Sequence, residues 1–171
     1  QESLVQLSDP ERIIDLTGYP ETLDALLWVL AAEAMPPIFL EAHFPAIRRL
    51  CRLVWEEKRD EKTGLLRGSL AFLDLYEPDR AERITLAANA VAVGAFQRAA
   101  WISSWYVKGR PDAEVFRERA AELSSSIEER LWKDSSRLYP HTTLGTNTPA
   151  QPEWSAFSHG LYLALARPED W

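Results

Sequence analysis

Residues 84–107 read ITLAANAVAVGAFQRAAWISSWYV, and Arg98 is the one formally charged residue in the run. A surface helix shows a polar face at the 3.6-residue period. This stretch has almost none and contains no proline, so the pattern predicts a helix buried on most sides. An apolar run of ~20 residues is also the usual signature of a membrane span. Asn89, Gln97, Arg98 and the Ser103-Ser104 pair argue against that, and no second such segment is present to accompany it. Burial inside a helical protein is the favoured reading.

The rest of the chain sorts around this run. Residues 22–35 (TLDALLWVLAAEAM) are helical and mostly apolar, with charges at Asp24 and Glu33 and a stop at Pro36-Pro37, since a residue before proline avoids the helical region. Residues 38–58 are amphipathic. Leu40, Phe44, Ile47, Cys51 and Val54 recur at helical spacing against Glu41, Arg48, Arg49, Arg52 and Glu56. Pro45 either kinks this helix or marks its true start. Residues 59–64 are a polar turn, and 65–79 a long connection. Gly109 is placed as a cap after the buried helix, and Pro111-Asp112 opens the next. In residues 112–132, Phe116, Ala120, Leu123, Ile127 and Leu131 face inward. A second long connection, 133–154, precedes an uncharged last helix over 155–166. No stretch has a clear period of two, so the fold class is all-α, with residues 1–171 as a single helical domain or a fragment of a larger one.

The helices alternate: apolar, amphipathic, apolar, amphipathic, apolar. Connections from apolar to amphipathic helices are short, and those back are long. Antiparallel hairpins produce this order and gather the long loops at the N-termini of the apolar, inner helices. Loops held by a rigid scaffold are where binding residues concentrate, and helix N-termini offer unpaired N–H groups to oxygen-rich ligands. Trp28, Trp101 and Trp105 lie deeper in the helices and read as core.

Composition narrows the partners. Apolar residues make up 46% and charged residues 26%, with a net charge of −7 and pI near 5.0. That balance disfavours nucleic acid and anionic lipid, which need basic patches. The single cysteine, Cys51, permits no internal disulfide and reads as a small core residue. The chain begins with Gln and is read as a processed or excised piece. Compartment is left open, cytoplasmic or secreted.

Three stretches carry a family resemblance. Residues 19–55 contain Asp24-Ala25-Leu26-Leu27-Trp28 and Phe39-Leu40-Glu41-Ala42-His43-Phe44-Pro45-Ala46-Ile47-Arg48-Arg49; residues 60–78 run DEKTGLLRG into Phe72-Leu73-Asp74-Leu75-Tyr76; residues 89–139 end Glu128-Glu129-Arg130-Leu131-Trp132-Lys133-Asp134-Ser135-Ser136-Arg137-Leu138-Tyr139. Together they resemble six-hairpin (α/α)6 glycosidases, most of all the bacterial-type α-L-rhamnosidase catalytic domain. The resemblance implies an α/α toroid of antiparallel hairpins. The pattern supplies about half of such a barrel. It also departs from the family: the acid-rich motif upstream and the base downstream are absent, no tryptophan follows Asp74, and the Gly-Asp expected near Ala34-Met35-Pro36-Pro37 is missing.

Glycoside hydrolysis generally uses two carboxylates across the scissile bond. The candidates on the long-loop side are Asp24, an acid near the start of an apolar helix, and Asp74, set among Phe72, Leu73, Leu75 and Tyr76. Each has a plain structural alternative: Asp24 offsets the helix dipole, and Asp74 caps the following helix. Tyr19, Tyr76 and Trp154 are candidates to stack on sugar rings, and His141 and His159 to bind hydroxyls. His159 reads equally well as a core histidine, and His43 is set aside on an outer helix. No metal-ligand spacing, Gly-rich phosphate loop or nucleophile elbow appears, so no metal or cofactor is expected. The expected partner is carbohydrate, supplied to a partial glycoside hydrolase that is weak or inactive alone. The alternative is a non-catalytic module that binds protein or a second copy through an apolar wall left exposed by the half barrel.

Overall fold

The computed structural model describes residues 23–70, 83–105, 110–131 and 152–166. These form five α-helices: α1 (Ala25–Ala31), followed by a 3₁₀ turn (Ala32–Ala34), α2 (Pro37–Lys58), α3 (Leu86–Trp105), α4 (Arg110–Leu131) and α5 (Pro152–Ala166). The protein is all-α. Among the described residues, only isolated bridges join Arg59 to Leu66 and Gly68 to Ile84. No described helix is long and apolar enough to cross a membrane.

Local chemistry sets the helix ends. Met35, ahead of Pro36, turns extended at φ −88°, ψ 149°, as the pyrrolidine ring demands. Pro37 opens α2 in the first turn, where its missing N–H is not needed. Pro45 is neither a start nor a stop, because α2 runs unbroken across it on the exposed side. Thr85 caps α3, its hydroxyl accepting the Ala88 N–H at 3.2 Å.

α3 is the centre of the fold. Every residue from Leu86 to Phe96 is buried, and the helix touches all four of the others. The inward residues of α4, Phe116, Ala120, Leu123, Ile127 and Leu131, all lie in the same core. Side-chain links fix the directions of the helices. Arg48 pairs with Asp112 at 2.9 Å, the Trp55 ring lies 5.3 Å from the Arg119 guanidinium, and Arg59 pairs with Glu122 at 2.9 Å. Steady advance along both helices means that α2 and α4 run parallel. The Leu23 N–H donates to Ser69 O at 2.8 Å and the Gly68 N–H to Arg83 O at 2.6 Å, bringing the starts of α1 and α3 together. Further along, Leu30 and Leu165 both close on Gly94, where a Cβ would meet them at 3.0 and 3.3 Å. The Tyr162 hydroxyl donates to Glu128 at 2.7 Å. α1, α3 and α5 therefore run one way, and α2 and α4 the other.

The turn after α2 is locked to the core. The Asp60 carboxylate accepts from Arg67 at 2.6 Å and from both the N–H and hydroxyl of Thr63 at 3.0 and 2.8 Å. Those bonds hold its carboxyl below the ordinary value of 3.8. Gly64 sits at φ +73°, a left-handed turn position that favours glycine. Asn89, wholly buried on α3, then grips Leu66. Its Oδ1 accepts the Leu66 N–H at 2.8 Å, and its Nδ2 donates to Leu66 O at 3.1 Å and Thr85 O at 2.8 Å. A polar residue that weakened the membrane reading is thus a backbone clamp.

Two expectations are corrected. Trp101 and Trp105 are not core: they stand 42% and 71% exposed, stacked edge to face at 5.6 Å. They sit in the last two turns of α3, which runs to Trp105. Among the described residues, α3 leaves no exposed apolar wall along its first half. α3 is covered through Phe96, and the exposed large apolar residues Met35, Ile38, Trp101, Trp105 and Val115 lie instead toward the end with the short hairpin turns. Cys51 is buried, and burial pushes its thiol up to about 12, against a smaller opposing pull from Arg119.

Candidate functional site

The N-terminal ends of α1 and α3 share one region, and α5 starts toward the same end. Leu23, Ser69, Gly68 and Arg83 are joined there by the backbone bonds above. The region holds several buried polar groups. Ser69 and Thr85 are fully buried and Arg83 is 4% exposed. The Ser69 hydroxyl has no hydrogen-bond partner among the described residues. Burying such a group without a partner costs about 1–3 kcal/mol. Asp24 stands at the N-cap of α1, half-buried and in a helical conformation, and its side chain makes no capping bond. Its carboxylate lies where the dipole of α1 favours negative charge.

Of the residues singled out in the sequence, Asp24 and His159 are described with their side chains. His159 is half-buried on α5, next to the fully buried Ser158. Both lie toward the same end of the molecule, on helices that flank α3 without a described contact between the two side chains. Trp154 lies in the first turn of α5. Tyr19, Asp74, Tyr76 and His141 lie outside the described residues.

Sequence reasoning passed over Ser69 and Arg83, because a serine and an arginine in a connection read as solvated. Only their burial marks them. His43, set aside as an outer-helix residue, is buried as well. Its Nδ1 meets Phe39 O at 2.9 Å, and its ring stacks on Phe39 at 3.9 Å and tilts toward Trp28 at 6.2 Å. It closes the α1–α2 hairpin rather than the polar end.

The chemistry open to this end follows from its groups. One carboxylate, a buried guanidinium and an unpaired hydroxyl suit a neutral, hydroxyl-rich ligand. They do not make a hydrolytic pair, which takes two carboxyl groups. Asp60, before the connection that leads to this end, is held ionised by its bonds to Arg67 and Thr63, unfit to donate a proton at neutral pH. Among the described residues no group of His, Cys, Asp and Glu gathers to hold a metal ion. No family model, no curated protein and no solved structure matches this chain.

Proposed function

We propose that the chain is part of a carbohydrate-active six-hairpin glycoside hydrolase, similar to α-L-rhamnosidases, and contributes residues to the substrate cleft. In this reading α1, α3 and α5 are inner helices of a partial (α/α)6 toroid, and α2 and α4 are its outer layer. The observation that carries it is the parallel set of apolar helices α1, α3 and α5, with the starts of α1 and α3 joined at a polar end that holds Asp24, Ser69 and Arg83. Asp24 accepts from sugar hydroxyls, while the second carboxylate comes from outside the described residues or from another chain. Calorimetric titration of the chain with L-rhamnose and an aryl α-L-rhamnoside tests this. Saturable binding, weakened roughly tenfold by Asp24→Asn as one charge-assisted bond is lost, supports it. Absence of saturable binding, or affinity unchanged in Asp24→Asn, overturns it.

A second reading has its own observation. The exposed Trp101–Trp105 pair, with Val115, Met35 and Ile38 toward the same end, is an apolar surface of the kind that marks contact with protein. A non-catalytic interaction or self-association module accounts for it. Sedimentation velocity separates the two: concentration-dependent association abolished by Trp105→Ala favours the module, and a monomer at every concentration excludes self-association through this face.

A further inference from the structure

We draw no further inference here: the strongest candidate, the exposed apolar patch formed by the Trp101–Trp105 pair in the last turns of α3, carries nothing more because nothing in the structure shows what covers it.

Discussion

Replacing Asn89 with alanine removes the clamp that ties the α2–α3 connection to the central helix. Three hydrogen bonds vanish, two of them to Leu66. Thr85 O retains the Asn89 backbone N–H at 3.1 Å, so it is not orphaned. The Leu66 N–H and C=O are left in a residue that is 0% exposed. Each unsatisfied buried group costs about 1–3 kcal/mol, which puts the total at roughly 4 kcal/mol. That is a large share of the 5–15 kcal/mol typical of a folded domain and corresponds to a fall in Tm on the order of 10 °C for a chain of this size. Urea unfolding measures it as a lower midpoint at unchanged slope. Hydrogen exchange adds a local reading, because the Leu66 amide loses its protection. A loss below about 1 kcal/mol with the Leu66 amide still protected would refute the clamp.

Other consequences follow from the same packing. Asp60 titrates below its ordinary value in the folded chain, so the native state binds fewer protons than the unfolded one; its contribution is complete above pH 3.8 and is lost as pH falls through the lowered folded value. Urea midpoints measured against pH therefore drop at the acid end, and Asp60→Asn flattens that part of the profile. Cys51, buried and with its thiol at about 12, resists a thiol reagent in the native state and labels at the rate of unfolding, whereas prompt labelling without denaturant would contradict its placement. Gly94→Val pushes against Leu30 and the Leu165 backbone at once; overpacking of this kind costs about 1–3 kcal/mol, and a neutral result in thermal unfolding would mean that α1 and α5 do not meet there.

The all-α class and most helix boundaries were legible because they depend on local signals: proline stops, the 3.6-residue stripes of α2 and α4, and a run too apolar for any surface. The alternation of apolar and amphipathic helices predicts that the two amphipathic helices run the same way, and the Arg48–Asp112 and Arg59–Glu122 pairs set α2 and α4 parallel. Burial that depends on neighbours was not legible. Trp101 and Trp105 look like core residues, yet they stand 42% and 71% exposed. Asn89 looked like a blemish on an apolar helix, because its partner is the backbone of a residue 23 positions away. Ser69 and Arg83 carry no sequence signal at all: a buried arginine differs from a solvated one only in what folds over it. The one predicted carboxylate that the structure describes, Asp24, was legible as an acid out of place on an apolar helix.

The proposed carbohydrate site is tested most directly by amide chemical-shift mapping of the isotopically labelled chain during titration with an aryl α-L-rhamnoside. The account predicts saturable shifts clustered at Leu23, Asp24, Ser69, Arg83, Thr85 and His159, at the end where the inner helices begin. Shifts confined to Trp101, Trp105 and the short-turn end, or no saturable shifts anywhere, would contradict it.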